Sequence, residues 1–197
     1  IYLGYMFIAI YFLFLYIFLY LNNKNDLFLY PETKKKYSIS VLVPSFNEEK
    51  TIENTIRAIF NIKYPIKELI VLNDGSRDNT KKIVEKLLVE FPKLKIINKE
   101  NSGKADSINW GIRIAKGELV VVVDADSYPA EDSFGKLVGY FDDEKVGAAT
   151  CVFVPRNNNK FFEKLQDMEY RVIAFTRKLL GYVDAIWVTP GPLAMYR

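Results

Sequence analysis

From residue 38 onward, short apolar runs alternate with amphipathic stretches along the chain. Each apolar run has the length of a buried strand, and each amphipathic stretch has helical spacing. Strands joined through helices run parallel in one sheet and are covered by helices on both faces. The sequence therefore predicts an α/β fold with a mostly parallel sheet. The expected elements are strands at 39–43, 68–72, 94–97, 119–123 and 146–154, and helices at 49–61, 78–90, 107–115 and 132–141.

A continuous apolar segment precedes this pattern. Residues 1–21 carry no charge and are mostly Leu, Ile, Phe and Tyr. A helix of this length can cross the roughly 30 Å hydrocarbon layer of a membrane. A cleaved signal peptide fits less well, because no basic segment comes first and no small-residue cleavage site follows. We therefore predict a transmembrane helix at 1–21.

Lysines follow the apolar segment, at Lys24 and at Lys34, Lys35 and Lys36. By the positive-inside rule they predict that everything after residue 22 is cytoplasmic. A solvated linker is an alternative role for the same lysines, and both can hold. The predicted organisation is a transmembrane helix (1–21), a basic linker (22–37) and a cytoplasmic domain (38–197). Since the chain starts at Ile1 without a Met, we also expect it to be part of something longer.

Composition removes several classes of function. The chain has no histidine, which excludes Ser-His-Asp hydrolases, Cys-His proteases and the usual His-bearing zinc sites. Its single cysteine, Cys151, lies in an apolar stretch and is expected to be a packed core thiol. The net charge of +3 is too small to indicate nucleic acid as a partner.

Asp124 and Asp126 directly follow the expected strand at 119–123. Open α/β sheets bind ligands at the carboxyl ends of their strands. Two carboxylates one residue apart are costly there unless a cation or a donor compensates their charge. A hard divalent ion shared with substrate phosphates is the usual use of such a pair. A short Asp-x-Asp string can also cap a turn, so the neighbouring segments decide the interpretation.

Three other polar segments are expected at the same edge of the sheet, at 44–49, 73–76 and 100–106. Taken singly, 73–76 and 101–103 could each be a tight turn. Together, the four segments favour a nucleotide site. The chain has neither a Gly-x-Gly-x-x-Gly after the first strand nor a P-loop, so dehydrogenases and P-loop enzymes lose support. An aspartyl-phosphate phosphatase would carry its Asp-x-Asp after the first strand rather than the fourth.

At these segments the chain resembles glycosyltransferase family 2, the inverting nucleotide-sugar transferases with a GT-A fold. The matching residues are Val43-Pro44-Ser45-Phe46-Asn47-Glu48, Leu72-Asn73-Asp74-Gly75-Ser76, Asn101-Ser102-Gly103-Lys104-Ala105 and Asp124-Ala125-Asp126. Two later segments and the N-terminal helix resemble the membrane-bound processive branch, which includes chitin, hyaluronan and poly-N-acetylglucosamine synthases. These segments are Gln166-Asp167-Met168-Glu169-Tyr170 and Val188-Thr189-Pro190-Gly191-Pro192-Leu193-Ala194-Met195-Tyr196-Arg197.

The resemblance implies a role for each matching position. On the donor side it implies a nucleoside pocket lined by Pro44, Asn47 and Glu48, uracil recognition by Asp74, a diphosphate contact from Lys104, a ribose or metal contact from Asp124, and Mg²⁺ or Mn²⁺ held by Asp126. On the acceptor side it implies Gln166, Glu169, Tyr170, Gly191 and Pro192. The implied partners are a UDP-sugar, a carbohydrate or lipid-linked acceptor, and the membrane.

The implied reaction is inverting transfer of a sugar to a growing polysaccharide, and it needs a carboxylate general base. In the family this base belongs to an acidic motif downstream of the Gly-Pro segment, so we expect it beyond Arg197. Asp184 is the nearest unassigned carboxylate, but its neighbours do not match that motif. The chain is therefore expected to bind donor without completing efficient transfer. Two alternatives are a non-processive transferase acting on a lipid phosphate and a membrane-tethered nucleotide-binding module without turnover.

Residues 160–180 predict a long amphipathic helix. Its apolar residues recur at helical spacing, and Lys160, Lys164 and Arg171 lie on the other side. We favour a helix packed on the domain with a solvated basic face over a helix lying on the membrane surface.

Overall fold

The computed structural model describes residues 1–157, 159–186, 188–189 and 191–197. They form two compact units: Ile1–Leu29 with Val152–Val188, and Tyr30–Cys151 with Thr189–Arg197. In chain order the elements are α1 (Tyr2–Asn23), β1 (Ile39–Ser45), α2 (Ile52–Phe60), β2 (Glu68–Asp74), α3 (Thr80–Leu87), β3 (Leu94–Lys99), α4 (Lys104–Ile114), β4 (Leu119–Val123), α5 (Ser133–Val138), a 3-10 helix (Gly139–Asp142), β5 (Ala148–Thr150), α6 (Phe161–Gly181) and β6 (Leu193–Tyr196).

The second unit is built on a mixed sheet. Its described residues form six strands in the order β3-β2-β1-β4-β6-β5. The strands β1 to β4 pair in parallel, so their carboxyl ends meet at one edge of the sheet. Strand β6 runs antiparallel to both β4 and β5. The expected α/β fold is confirmed, but the sequence did not predict β6, which separates β5 from the parallel strands.

Helices cover both faces of this sheet, as predicted. On one face, Val41 and Val71 belong to a cluster that includes Ile56 of α2 and Phe134 of α5. On the other face, Leu42 and Leu72 pack near α4. A side chain at Gly111 of α4 would approach Leu72 Cδ1 to 2.7 Å and Leu42 Cδ1 to 2.9 Å. The absence of a side chain at this position therefore lets α4 lie directly on the central strands.

Cys151 packs against the core of the second unit, as expected for a structural thiol. Burial raises the pKa of the thiol to about 11. A thiol held in its neutral form is a poor nucleophile.

The first unit contains α1 and α6. By length and composition, α1 is able to cross a membrane, and it extends two residues beyond the predicted end at 21. Near its carboxyl end, Leu19 is buried together with Leu27 and Leu179. The rings of Tyr20 and Phe175 lie 6.0 Å apart. Helices α1 and α6 therefore touch near the carboxyl end of each.

The apolar side of α6 is exposed over most of its length. Phe162 is 80% exposed, Met168 58% and Val172 55%, and Leu179 is the buried residue of the helix. Within its own unit, most of this side is therefore uncovered. Helical periodicity predicts that an apolar side exists, but it does not determine what covers that side.

Candidate functional site

The carboxyl end of β4 carries the centre of the candidate site. Asp124 directly follows this strand, and the Lys104 amine lies 2.5 Å from its Oδ1. The backbone N–H of Asp124 donates to the carbonyl of Pro192 at 3.3 Å. A Cβ added to Gly191 would lie 3.8 Å from both Asp124 Oδ2 and the Lys104 amine. Four residues predicted from separate segments are thus neighbours.

Lys104 owes its position to the preceding glycine. Gly103 has φ +95°, in a region of backbone conformation that favours glycine, and α4 begins at the next residue. The first turn of a helix carries a partial positive charge and backbone N–H groups that suit an anion. Lys104 adds a full positive charge at this point, and its side chain is 54% exposed.

Asp126 lies two residues after Asp124 and is exposed. The turn between them is held from the α2 side, where the Thr55 hydroxyl donates to the buried Ala125 carbonyl at 2.8 Å. The Ser127 N–H closes the turn by donating to the Asp124 carbonyl at 3.0 Å.

The carboxylates of Asp124 and Asp126 fit a hard divalent cation. Carboxylate oxygens suit Mg²⁺ and Mn²⁺. Among the described residues, no three His, Cys, Asp or Glu side chains come together as a metal site. The fit is therefore to an ion that takes one or two protein carboxylates and completes its shell with water and substrate phosphates.

Asp74, predicted to recognise uracil, is 4% exposed at the end of β2. Its Oδ1 accepts from the Lys99 amine at 2.5 Å and from the Ser102 N–H at 3.0 Å. Its Oδ2 accepts from the Gly103 N–H at 2.8 Å. Burial alone would raise the pKa of this carboxyl, but Lys99 and the two N–H donors outweigh it and lower the pKa. Asp74 thus holds the loop before α4, and its contact with uracil stays a prediction.

Asn47 and Glu48, predicted to line the nucleoside pocket, join two loops at the same edge. The Asn47 N–H donates to Ser76 Oγ at 3.0 Å, and the Arg77 N–H donates to Asn47 Oδ1 at 2.8 Å. The Glu48 N–H donates to Thr80 Oγ1 at 2.8 Å. These contacts tie the β1–α2 loop to the β2–α3 loop and to the first residue of α3.

Pro44 is buried within β1, one residue from the end of the strand. It lies at the edge where the parallel strands end, and its contact with the nucleoside stays a prediction.

The acceptor-side predictions divide between the two units. Gln166, Glu169 and Tyr170 lie on α6 in the first unit, where Gln166 Nε2 donates to the Tyr170 hydroxyl at 3.1 Å. Gly191 and Pro192 lie beside Asp124 in the second unit. Pro190, which the resemblance included in the same motif, lies outside the described residues. The acceptor-side roles of these residues stay predictions.

Sequence reasoning missed Lys99. It ends β3, in register with Asp74 at the end of β2, and its side chain is 16% exposed. Its amine contacts Asp74, the Glu100 carbonyl, Ser102 Oγ and Asp106. The predicted strands ended at 97 and 72, before both residues, so the sequence pattern did not place Lys99 opposite Asp74.

Curated proteins similar to this chain are poly-β-1,6-N-acetyl-D-glucosamine synthases. The protein from Staphylococcus aureus strain COL is 32% identical over 184 residues, covering 90% of this chain and 44% of that protein. The protein from Staphylococcus epidermidis is 32% identical over 177 residues, covering 87% of this chain and 42% of that protein. The chain thus spans less than half the length of these relatives.

Solved structures similar to this chain include complexes with nucleotide-sugars. The mannosyltransferase PcManGT from Pyrobaculum calidifontis, in complex with GDP-Man and Mn²⁺, matches with a TM-score of 0.68 and 27% identity. The match covers 92% of this chain and 52% of that one. Residues 1–349 of S. aureus TarS, in complex with UDP-GlcNAc, match with a TM-score of 0.53 and 27% identity. The match covers 62% of this chain and 36% of that one.

The family comparison agrees with the site. The model of glycosyl transferase family 2 matches residues 40–197, which include β2 to β6, all of β1 but its first residue, and every predicted site residue. The chain belongs to glycosyl transferase family 2.

Proposed function

We propose that the chain is the donor-binding part of an inverting glycosyltransferase. The enzyme moves a sugar from a UDP-sugar to a growing polysaccharide at the cytoplasmic face of the cell membrane. The observation that carries the proposal is the grouping of Lys104, Asp124 and Gly191 at the carboxyl end of β4. It occurs in a chain 32% identical to polysaccharide synthases.

In this proposal the nucleoside lies across the carboxyl ends of β1 and β2. Pro44, Asn47 and Glu48 line its pocket, and Asp74 accepts from the uracil ring. Two observations support this arrangement. The loop that carries Asn47 and Glu48 is hydrogen-bonded to Ser76 and Thr80, which follow β2. One wall of the pocket is therefore formed before the ligand binds. Asp74 Oδ2 accepts from the Gly103 N–H, and a carboxylate oxygen has capacity for two hydrogen bonds.

The diphosphate lies near the amino end of α4. Asp126 and Asp124 hold Mg²⁺ or Mn²⁺, which when bound neutralises charge on the leaving UDP. Lys104 donates to the phosphate oxygens, so its amine is shared between Asp124 and the ligand. TarS in complex with UDP-GlcNAc and PcManGT in complex with GDP-Man and Mn²⁺ support the choice of ligands.

The acceptor is a carbohydrate or a lipid-linked carbohydrate. Gly191 and Pro192 border it, and Gln166, Glu169 and Tyr170 contribute from α6. The acceptor hydroxyl attacks the anomeric carbon on the face opposite UDP, which inverts the configuration. A carboxylate takes the proton of that hydroxyl.

Membrane attachment comes from α1, with the predicted limits of 1–21 for the crossing, 22–37 for the linker and 38–197 for the catalytic domain. The exposed apolar side of α6 supports this location, because α6 touches the carboxyl end of α1. An apolar helix side next to a membrane-crossing helix suits the lipid surface. The lysines after α1 support a cytoplasmic domain.

Nucleotide titration of the purified 197-residue chain in detergent tests the donor site. We expect UDP to bind in the presence of Mn²⁺ and to bind more weakly after chelation. GDP is the comparison, because PcManGT was solved with GDP-Man. Preference for GDP would overturn the UDP-sugar assignment, and the absence of nucleotide binding would overturn the donor site.

Transfer is tested with the full product of the parent gene and labelled UDP-GlcNAc, the donor suggested by the synthase relatives. A polymer supports the proposal. A single sugar added to a lipid phosphate favours the non-processive alternative. UDP binding without transfer or hydrolysis favours the non-catalytic module.

A further inference from the structure

Lys99 occupies a protected position behind the candidate donor site. Its amine lies 2.5 Å from Asp74 Oδ1 and 2.8 Å from the Glu100 carbonyl. It also donates to Ser102 Oγ and lies 3.4 Å from Asp106 Oδ2. An ammonium group has three N–H donors, and four acceptors of the chain already surround this one. Lys99 therefore has no donor left for a ligand.

Three of the four partners of Lys99 belong to the approach to α4, and the fourth, Asp74, ends β2. Glu100 and Ser102 lie in the loop between β3 and α4, and Asp106 lies in the first turn of α4. Asp74 receives Lys99 on one oxygen and the N–H groups of Ser102 and Gly103 on its two oxygens. The Lys99–Asp74 pair is thus the charged centre of a clamp that holds this loop from inside the protein.

The loop has little room to shift without changing the start of α4. A Cβ at Gly75 would lie 2.9 Å from the Asn101 nitrogen, so the two loops are in close contact. Asn101 Nδ2 also donates to the Asp74 carbonyl at 2.9 Å. Gly103 then turns the chain into α4, whose first residue is Lys104. A displacement of the loop would therefore carry Lys104 away from Asp124.

We propose that Lys99 is a positioning residue that sets the loop 100–103, and through it the Lys104 amine, for binding of the donor diphosphate. This role rests on the proposed function, but the clamp itself can be tested without a ligand. Charge supports the assignment, since Asp74 raises the pKa of Lys99 and Lys99 lowers that of Asp74 against the opposing effect of burial. Both groups therefore stay ionised at neutral pH.

Strands β2 and β3 carry a second ion pair at their other end, and this pair provides a matched control. Lys95 of β3 lies 2.6 Å from Oε2 of the buried Glu68 of β2. Glu68 also accepts from the Ser40 hydroxyl and the Lys116 N–H. Each pair joins a β3 lysine to a buried β2 carboxylate, but Glu68 begins β2 whereas Asp74 ends it. Lys95→Met thus removes a comparable ion pair away from the loop 100–103.

Hydrogen exchange of the ligand-free 197-residue chain is the first test. Lys99→Met is expected to raise exchange at the Ser102 and Gly103 amides, which donate to Asp74, and in the first turn of α4. Lys95→Met is expected to leave these amides protected. Lys99→Arg, which keeps the charge, is expected to restore most of the protection. Unchanged exchange at residues 101–107 in Lys99→Met would overturn the clamp, whatever the nucleotide result.

UDP titration with Mn²⁺ is the second test. Lys99→Met is expected to weaken UDP binding by roughly tenfold or more, since small displacements of positioned groups are costly. Lys95→Met should bind UDP with an affinity within about twofold of that of the unsubstituted chain. This holds even if its melting temperature falls as much as that of Lys99→Met. Equal affinity in Lys99→Met and the unsubstituted chain would overturn the link to the donor site. Failure of the unsubstituted chain to bind UDP would instead count against the proposed function, with the exchange result still deciding the clamp.

Discussion

The Lys104 amine lies 2.5 Å from Asp124 Oδ1, so one lysine neutralises a carboxylate that is also a candidate metal ligand. A divalent cation must compete with this amine for Asp124 when no nucleotide is present. A bound diphosphate relieves the competition, because it offers the amine other oxygens. Lysine and cation are therefore expected to oppose each other in the free protein and to act together in the complex.

Lys104→Met is expected to have opposite effects on two ligands. Mn²⁺ alone should bind more tightly, because the competing amine is gone. UDP with Mn²⁺ should bind about tenfold more weakly, because a charge-assisted hydrogen bond to phosphate is lost. Calorimetric titration measures both. Lys81→Met, which removes an exposed partner of Glu85 on α3, is the control. A fall in both affinities would contradict the competition.

Asp126→Ala is expected to abolish the effect of Mn²⁺ on UDP binding. Removal of a direct metal ligand should lower the metal affinity at least as much as removal of a residue that only orients a ligand, which is roughly tenfold. Titration of UDP with and without Mn²⁺ measures the difference. Asp132→Ala, at an exposed aspartate paired with Lys136, is the control and should keep the metal dependence. If Asp126→Ala and the unsubstituted chain respond equally to Mn²⁺, Asp126 is not a ligand.

Gly75→Ala is expected to lower the free energy of unfolding by about 1–3 kcal/mol. Gly75 has φ +71°, and an added Cβ would lie 2.9 Å from the Asn101 nitrogen. Gly147→Ala is the control, since its Cβ would meet nothing within 4 Å and should change stability by less than about 0.5 kcal/mol. Urea unfolding compares the two variants. Equal stabilities would show that the close approach of these loops is unimportant.

The Cys151 thiol is expected to react slowly with disulfide reagents. Its pKa rises from 9.0 to about 11 through burial, which lowers the thiolate fraction near pH 8 about 100-fold. The pKa of the thiol is higher in the folded chain than in the unfolded chain. Its contribution to folding stability is therefore present below pH 9.0 and is lost as pH rises through about 11. Reaction rates of folded and urea-unfolded chain, measured across pH, check this. Similar rates at pH 8 would contradict it.

Val172 is expected to lie in lipid. In a Cys151→Ser background, Val172→Cys carries an environment-sensitive fluorophore on the apolar side of α6. Arg171→Cys carries it one residue away, about 100° around the helix. After insertion of the full chain into nanodiscs, emission should shift to the blue for position 172 and much less for 171. Equal shifts would contradict a lipid-facing side.

The parallel strands β1, β2 and β4 could be predicted because they are almost entirely buried on both faces. The predicted limits of β4, 119–123, agree with the structure, since every residue in it is apolar. Strand β6 could not be predicted in the same way. Leu193–Tyr196 is only four residues long, and its place in the sheet depends on antiparallel partners distant in sequence. The start of α4 was placed three residues late, because Gly103 rather than an apolar repeat determines it.

The site was predictable where residue type alone carries the chemistry. Lys104 and Asp124 were expected from separate segments, and they are in contact. Lys99 was missed because the predicted strand ended at 97, two residues before it. Its importance depends on the β2–β3 register, which places it opposite Asp74 in the sheet. Register is a long-range property that local pattern does not contain.

Strand β6 determines how Asp124 and Pro192 are spaced in the site. Val123 pairs with Leu193 across the antiparallel ladder, so the residue before Asp124 is aligned with the residue after Pro192. The spacing between these two segments is thus set by main-chain hydrogen bonds rather than by flexible loops. The separation of β4 and β6 in the sheet therefore determines the distance between the two segments. Side-chain substitutions on either segment therefore leave the main-chain distance between Asp124 and Pro192 in place.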